Sequence, residues 1–277
     1  MIIDRRIFRA ARAGVVIVLL IALGGCGTLW GFQEAMLFPA SRHVWRTPGD
    51  APFNWKYEPV TLDVNGEKSD AWYIPVENPK GTILLSHGNG GNIADRMEHY
   101  AMLRDLGYDV FAYDYGGYGN STGKPSENRC YADIRAAWKY LAEVRGIPAN
   151  KIVLYGESLG GGATCDLAAE VKPRAVVLQC TFLSVTKMAK EAFPFVPVRL
   201  LLRHNFDSES KIKKNTAPIL IIHSQGDTFV PYRHGRGLYE LANEPKTFLE
   251  LRGDHNDCIF TSGETYTEGV RRFLDSL

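Results

Sequence analysis

Several features that would assign a chain to a common class of protein are scarce here. The 277 residues include only five cysteines, and none stands in a Cys-x-x-Cys pair or a Cys/His cluster. A dense disulfide framework is therefore excluded, although one pair could still be bridged, and no spacing predicts a metal site. An excess of one charge is also lacking, since 32 basic residues face 31 acidic ones for a net charge of +1. This balance predicts no nucleic-acid partner and favours small or neutral substrates.

Long hydrophobic runs are missing apart from one near the N-terminus, which excludes a protein with several membrane spans. The composition, 45% hydrophobic and 23% charged, is that of an ordinary globular protein. The 27 glycines and 14 prolines indicate many turns between short strands and helices. A chain of this length fits one α/β domain.

The N-terminus has the pattern of an export signal. Four arginines within residues 1–12 precede an apolar run of 11 residues at 13–23, as in the basic and hydrophobic regions of a signal peptide. The run is shorter than the roughly 18 to 20 residues that span a bilayer. Leu-Gly-Gly-Cys at 23–26 resembles the lipobox of bacterial lipoproteins. That resemblance implies that residues 1–25 are a signal peptide and that Cys26 is lipidated.

Two alternatives remain open for this segment. One is an uncleaved anchor, because residues 13–32 form an uncharged stretch of 20, although five of them are glycine. The other is cleavage to a soluble secreted protein. In all three cases the arginines stay in the cytoplasm and the rest of the chain is exported. We expect a membrane-anchored, extracytoplasmic protein of the cell envelope, with residues 26–58 as a tether that either lies on the lipid or packs on the domain.

From residue 59 to 277 the pattern is that of one α/β domain. Short β-rich runs alternate with helical spacing, which predicts an eight-stranded, mostly parallel sheet with helices on both faces. The predicted strands are 60–64, 70–74, 82–86, 110–113, 152–155, 175–178, 219–222 and 247–251. The predicted helices are 93–106, 128–144, 159–171, 235–242 and 264–274. An Asn-Gly pair at 65–66 predicts a type I′ hairpin.

The longest connection without a strand, about 182–216, mixes phenylalanines and leucines with prolines. So many large apolar side chains are expected to pack against another part of the protein, and we expect a small helical cap. The cap is either a lid over a site or ordinary core packing.

The segment Gly156-Glu157-Ser158-Leu159-Gly160 carries the chemistry. An apolar strand runs into it and a helix leaves it, as a nucleophile elbow requires. The turn leaves no room for side chains at its two glycines, and it holds Ser158 in a strained conformation with the hydroxyl projecting from the sheet. The helix that begins near Leu159 directs its amides at a developing oxyanion.

A serine hydroxyl needs a base and an acid, because it is a poor nucleophile at neutral pH. Asp227 follows the strand at 219–222, and His255 follows the last strand. Both are predicted at the same edge of the sheet as Ser158. His255 would then take the serine proton while Asp227 fixes its tautomer. Asp254 and Asp257 are nearer in sequence but share the loop of the histidine, so Asp227 is preferred.

Two backbone donors are expected in the oxyanion hole. Leu159 supplies one, and the glycine-rich loop 86–92 supplies the other, through the amide of Asn89 first and of Gly90 second. The loop matches neither of the usual phosphate-binding patterns. Gly90, with Tyr115 and Phe182, is predicted to line the substrate pocket.

Five motifs together resemble the α/β-hydrolase superfamily over residues 60–277. They are HGNGGN (87–92), YDYGGYGNS (113–121), GESLGGG (156–162), ILIIHSQGDTFVP (219–231) and GDHND (253–257). A Phe-Asp-Ser element at 206–208 is similar to one in the membrane-associated ABHD-type serine hydrolases. The resemblance implies hydrolysis of acyl esters or thioesters, depalmitoylation among the candidates, without a cofactor. A peptidase or amidase with the same triad, and a non-catalytic binding protein on this scaffold, stay open as alternatives.

Three residues depart from that family's pattern. Ser224 stands where glycine is usual, Asp254 precedes the histidine where glycine or alanine is common, and Gly116 replaces a frequent arginine. None removes a catalytic atom. Asp254 is expected either to raise the basicity of His255 or to be solvated. The sequence gives neither the acyl chain length nor the oligomeric state.

Overall fold

A computed structural model describes residue 31 and residues 33–277. Cys26 and the predicted signal peptide lie outside these residues, so their assignment stays a prediction. The chain divides after Pro39 into two units, and residues 33–37 of the first are helical. Within the described part of the chain, every helix is too short or too polar to cross a membrane.

Eight strands form one sheet in the second unit. They are β1 (Glu58–Val64), β2 (Glu67–Ile74), β3 (Thr82–Ser86), β4 (Asp109–Tyr113), β5 (Ile152–Glu157), β6 (Ala175–Gln179), β7 (Ile219–Ser224) and β8 (Lys246–Leu251). Their order across the sheet is β1-β2-β4-β3-β5-β6-β7-β8. The pairs β1–β2 and β2–β4 are antiparallel and all others are parallel. The predicted eight-stranded, mostly parallel sheet is confirmed.

The strands follow from their apolar patterns. All residues of β3, β4, β6 and β7 are buried, because helices cover both faces of the sheet. At the edge, β1 alternates between buried and exposed positions over its last five residues. The turn from β1 to β2 has Asn65 and Gly66 at φ 56° and 82°, the left-handed pair that a type I′ hairpin requires.

Eight α-helices surround the sheet in the second unit. They are α1 (Met97–Asp105), α2 (Glu127–Lys139), α3 (Leu159–Ala168), α4 (Val185–Ala192), α5 (Val198–Leu201), α6 (Ser208–Lys211), α7 (Tyr232–Leu241) and α8 (Cys258–Asp275). This unit also contains three 3₁₀ turns and one π turn. These are Ile93–Arg96, Ala149–Lys151 and Ile212–Lys214, and Tyr140–Val144. Ser126 and Ser184 begin α2 and α4, because each hydroxyl accepts an N–H three residues on.

The three short helices α4, α5 and α6 occupy the segment predicted as a cap. Phe206 and Val198 are buried there, whereas Phe195 is 99% exposed and Leu200 is 85% exposed. Only some of the apolar side chains of this segment are therefore packed in the core.

Residues 40–57, the second part of the predicted tether, pack on the α/β domain. The Arg42 guanidinium donates to the carbonyl oxygen of Ser121 at 2.7 Å. The Trp45 indole donates to Asp95 Oδ1 at 2.8 Å. Of the two possibilities that the sequence left open for this stretch, packing on the domain is the one observed for 40–57.

Candidate active site

Ser158 lies at the turn between β5 and α3. Its φ of 49° and ψ of −113° are strained for a residue with a side chain. A Cβ on Gly156 would lie 2.6 Å from Thr164 Oγ1, and one on Gly160 would fall on the carbonyl oxygen of Ser86. Glycine is thus needed at both positions, because the neighbouring atoms leave no room for a side chain. The Ser158 N–H donates to the carbonyl oxygen of Gln179 at 2.9 Å, which fixes the turn to β6.

The structure brings together the three side chains predicted as a triad. His255 Nδ1 lies 2.7 Å from Asp227 Oδ2, and His255 Nε2 lies 2.9 Å from Ser158 Oγ. With its proton on Nδ1, held by the carboxylate, the neutral imidazole presents Nε2 as the acceptor for the serine hydroxyl. Each group comes from a different loop at the carboxyl edge of the sheet.

The Asp227 carboxylate is held from its own loop as well. Its Oδ1 accepts the N–H of Phe229 at 3.0 Å and that of Val230 at 2.7 Å. The carboxylate is buried, so these donors replace water as its partners. Nearby, His223 donates Nε2–H to the Val230 carbonyl oxygen at 2.9 Å. Burial lowers the pKa of His223, so this histidine is a neutral core residue.

The loop of the acid and the loop of the base are tied to each other. Asp254 Oδ1 accepts the backbone N–H and the hydroxyl of Thr228, both at 2.8 Å, and the N–H of His255 at 2.7 Å. These bonds, the Thr228 N–H first, lower the pKa of Asp254. The Ser224 hydroxyl donates to the Gly253 carbonyl oxygen. Ser224 and Asp254, two of the departures from the family pattern, therefore cross-link the two loops. Neither expectation for Asp254 included this role.

Phe229 flanks the imidazole and was not predicted as a site residue. Its ring centroid lies 5.0 Å from that of His255, and the residue is 55% exposed. Its only signal in the sequence is a large apolar residue two positions after Asp227. An apolar side chain there partly shields the imidazole from solvent.

Side chains hold the glycine-rich loop after β3 by donating hydrogen bonds to its carbonyl oxygens. Tyr115 Oη donates to the carbonyl oxygen of His87 at 2.7 Å, and Tyr118 Oη donates to that of Asn89 at 2.8 Å. Between them, His87 Nδ1 donates to the carbonyl oxygen of Gly88 at 2.6 Å. Three consecutive carbonyl groups of this loop therefore have partners.

These bonds also orient the amides of the loop. The C=O and N–H of a trans peptide point in opposite directions. The bond to the Gly88 carbonyl thus sets the direction of the Asn89 N–H, and the bond to the Asn89 carbonyl sets that of the Gly90 N–H. Both amides predicted as oxyanion donors belong to peptides with a fixed orientation.

The predicted pocket residues differ in their surroundings. Gly90 is partly exposed, with open space where a side chain would begin. Phe182 is 4% exposed, and Tyr115 is fully buried. The prediction that Tyr115 lines the substrate pocket is corrected, because its ring is fully buried and its hydroxyl is bound to the His87 carbonyl oxygen. The sequence alone offers no signal for a hydroxyl-to-carbonyl bond of this kind.

A polar layer lies beneath the elbow. Glu157 Oε1 is 3.6 Å from the Arg96 guanidinium. Burial raises the pKa of Glu157, but Arg96 and neighbouring histidines outweigh it, so the net pKa is lowered. Burial also lowers the pKa of His99 to about 4, and its Nε2 lies 2.7 Å from Tyr266 Oη. His99 is therefore neutral at neutral pH.

The fold and this site define a class. A nucleophile elbow after β5, an acid after β7 and a histidine after β8 on a mostly parallel eight-stranded sheet are the arrangement of an α/β hydrolase. Residues 77–204 match the family described as serine aminopeptidase, S33. The chain is 37% identical over 198 residues to α/β hydrolase domain-containing protein 17B of Xenopus tropicalis, covering 71% of this chain and 67% of that one. The chain belongs to the α/β-hydrolase superfamily.

Three further proteins are similar to this chain in sequence or in fold. An uncharacterized protein of Mycobacterium tuberculosis is 33% identical over 269 residues, which cover 94% of this chain and 93% of that one. An esterase of Pyrococcus furiosus has a similar fold, with a TM-score of 0.72 at 20% identity over 86% of this chain and 98% of that one. The esterase domain of a Rhodothermus marinus protein has a TM-score of 0.58 at 25% identity over 79% of this chain and 100% of that one.

Proposed function

We propose that the protein is a serine hydrolase that cleaves carboxylic esters or thioesters through an acyl-enzyme intermediate. One observation carries the proposal: Ser158, His255 and Asp227 form a continuous hydrogen-bonded chain. Ser158 Oγ lies 2.9 Å from His255 Nε2, and His255 Nδ1 lies 2.7 Å from Asp227 Oδ2. These groups supply the nucleophile, the base and the orienting acid that acyl transfer requires.

In the acylation step, Ser158 Oγ attacks the substrate carbonyl carbon while its proton passes to His255 Nε2. The imidazolium that forms is stabilised by the Asp227 carboxylate at Nδ1. The tetrahedral intermediate then collapses, and Nε2–H protonates the leaving alcohol or thiol. Water, deprotonated by the same nitrogen, attacks the acyl-enzyme and releases the acid.

The developing oxyanion requires two donors. We assign them to the N–H of Leu159, at the start of α3, and to the N–H of Asn89, with that of Gly90 as the alternative. Removal of one such donor typically costs about 3 to 4 kcal/mol of transition-state stabilisation. The hydrogen bonds that hold the carbonyls of the loop support this assignment, because a donor that is already oriented requires no reorganisation.

The substrate is proposed to be a small acyl ester or an acylated molecule. The exposed Phe229 ring beside His255 offers an apolar contact to an acyl group. Two proteins of similar fold are described as an esterase and an esterase domain, which supports an ester bond as the target.

A peptidase or amidase is the second candidate, because the matching family is described as a serine aminopeptidase. The triad by itself does not select the leaving atom. Rates on an ester and an amide with the same acyl group would decide: faster cleavage of the amide would replace the esterase proposal.

For location, we propose that the N-terminus anchors the enzyme on the outer side of the membrane through acylated Cys26. Mass analysis of the mature N-terminus tests this point, because acylation of Cys26 as the first mature residue and an intact Met1 exclude each other.

The direct test of the proposed function is Ser158→Ala. Hydrolysis of p-nitrophenyl esters should fall by about 10⁶, and labelling by a fluorophosphonate should disappear. Ser210→Ala, which changes an exposed serine of α6, is the matched control and should keep both. Activity or labelling that survives in folded Ser158→Ala would refute the nucleophile assignment.

A further inference from the structure

Two buried thiols lie beside the acid and the base. Cys180 follows β6 and Cys258 begins α8. Both are free thiols with 1% exposure, and their Sγ atoms are 3.4 Å apart. Cys258 Sγ also points to the carbonyl oxygen of His255 at 3.8 Å. The mechanism of ester hydrolysis uses neither thiol.

Cys180 lies within reach of the two groups that assist the serine. Its Sγ, a carboxylate oxygen of Asp227 and a ring nitrogen of His255 are all within 4.8 Å of one another. Cys258 is not part of this group, but its sulfur contacts that of Cys180 and so lies at its edge. Two thiolates, an imidazole and a carboxylate are the donor types that Zn²⁺ prefers in proteins.

Two contacts within this set of atoms are somewhat shorter than the spacing in a tetrahedral site. Bonds of about 2.3 Å to sulfur and 2.0 Å to nitrogen or oxygen place neighbouring ligand atoms roughly 3.3 to 3.8 Å apart. The two sulfur atoms are 3.4 Å apart, and His255 Nδ1 is 2.7 Å from Asp227 Oδ2. An ion could enter if Asp227 and His255 moved apart and if Cys258, which lies outside the group of atoms within 4.8 Å, moved toward it. The backbone of Cys180 is fixed, since its N–H donates to the Ile222 carbonyl oxygen at 2.9 Å.

We propose that Cys180, Cys258, Asp227 and His255 form an inhibitory site for a soft divalent cation of the zinc type. The ion would displace the hydrogen bond between Asp227 and His255 Nδ1. Binding to both sulfurs releases two thiol protons to solvent. The ring proton of His255 moves from Nδ1 to Nε2, and the ring stays neutral. The nitrogen that faces Ser158 is then already protonated and cannot accept the serine proton.

Metal binding is independent of the proposed function, whereas the inhibition rests on it. The first experiment therefore uses full-length Ser158→Ala protein, which keeps all four donors. Titration with Co²⁺ or Cd²⁺ should produce thiolate-to-metal charge-transfer absorption at one ion per chain. A second substitution in this variant, either Cys180→Ser or Cys258→Ser, should weaken metal binding by about 10- to 100-fold or more. Cys130→Ser, which changes a buried thiol of α2, should leave it unchanged.

Absence of this absorption in Ser158→Ala, or its persistence in both folded Cys180→Ser and Cys258→Ser, would overturn the proposal. Far-ultraviolet circular dichroism of each variant checks its folding. Two independent cysteine variants keep the test decisive if one of them fails to fold.

The second experiment measures inhibition in chains with intact Ser158. Zn²⁺ should inhibit p-nitrophenyl ester hydrolysis, and a chelator should reverse the effect. Half-inhibition should need about 10- to 100-fold more Zn²⁺ in Cys180→Ser and Cys258→Ser, each relative to its own metal-free rate. An equal Zn²⁺ response in these variants and in Cys130→Ser would assign inhibition elsewhere and overturn the proposal. Metal binding in a chain without hydrolytic activity would instead contradict the proposed function alone.

Discussion

The two sides of Ser158 are built from different parts of the chain. On one side, Asp227 and His255 present side chains, and their loops are tied by the bonds of Asp254 to Thr228. On the other side, the loop after β3 presents backbone amides, and the Tyr118 hydroxyl holds one of its carbonyls. A substitution on the first side can remove a reacting group. A substitution on the second side only loosens a donor that remains, so the effects should differ by orders of magnitude.

The largest expected effect in this comparison is that of Asp227→Asn. The amide cannot stabilise the imidazolium and favours the wrong tautomer of His255, so kcat should fall by about 10⁴. The measurement is kcat for p-nitrophenyl ester hydrolysis. Asp257→Asn changes a carboxylate in the histidine's own loop and is the matched control, with a loss below about tenfold. A comparable loss in both variants would contradict the assignment of the acid.

The acid–base side could be predicted from the sequence because its chemistry resides in side chains that follow strands. Buried parallel strands appear as continuous apolar runs. The eight runs located the strands to within a few residues, and with them the loops of Ser158, Asp227 and His255. Parallel topology brings the carboxyl ends of these strands to one edge, so the meeting of the three groups follows from their order alone.

Other features depend on contacts that have no local signal. The carbonyl partner of Tyr115 is set by the loop of another strand, so the sequence suggested a pocket residue. The cross-links of Ser224 and Asp254 join loops about 30 positions apart. Helix α8 begins at Cys258 instead of 264, because its first turns are joined to the rest across a kink at Gly263, where φ is 39°. Helical spacing could be read only beyond that kink.

The next largest effect is expected on stability, and it depends on pH through His99 in the polar layer beneath the elbow. Burial lowers the pKa of His99 to about 4 from its ordinary 6.5. Between these values the unfolded chain binds more protons. The stability that neutral His99 contributes is therefore complete above pH 6.5 and is lost as pH falls from 6.5 to 4, with little further change below 4. About 2.5 kcal/mol should be lost at pH 4.5. Urea unfolding at pH 7 and 4.5 measures this, and an equal pH dependence in His99→Gln would refute it.

Tyr118→Phe tests the backbone side with a smaller effect. The Asn89 carbonyl loses its partner, and the oxyanion amides of the loop lose orientation. We expect kcat to fall about tenfold, roughly 1.4 kcal/mol, with KM nearly unchanged. Tyr113→Phe is the matched control, because it removes a buried hydroxyl that contacts Ser86 Oγ at 2.7 Å instead of a loop carbonyl. Similar kcat values in the two variants would assign Tyr118 a purely structural role.

The smallest effect should come from loosening the tie between the acid and base loops. Thr228→Val removes the hydroxyl that donates to Asp254 Oδ1 but keeps the backbone N–H that donates to the same oxygen. Stability should fall by about 1 kcal/mol and kcat by about twofold to threefold, because one of two parallel bonds remains. Thr267→Val, whose hydroxyl contacts only carbonyls of α8 in the described structure, should leave kcat unchanged. If Thr228→Val lowered kcat as much as Asp227→Asn, positioning of the loops rather than the carboxylate would dominate the acid–base side, and the contrast between the two sides of Ser158 would disappear.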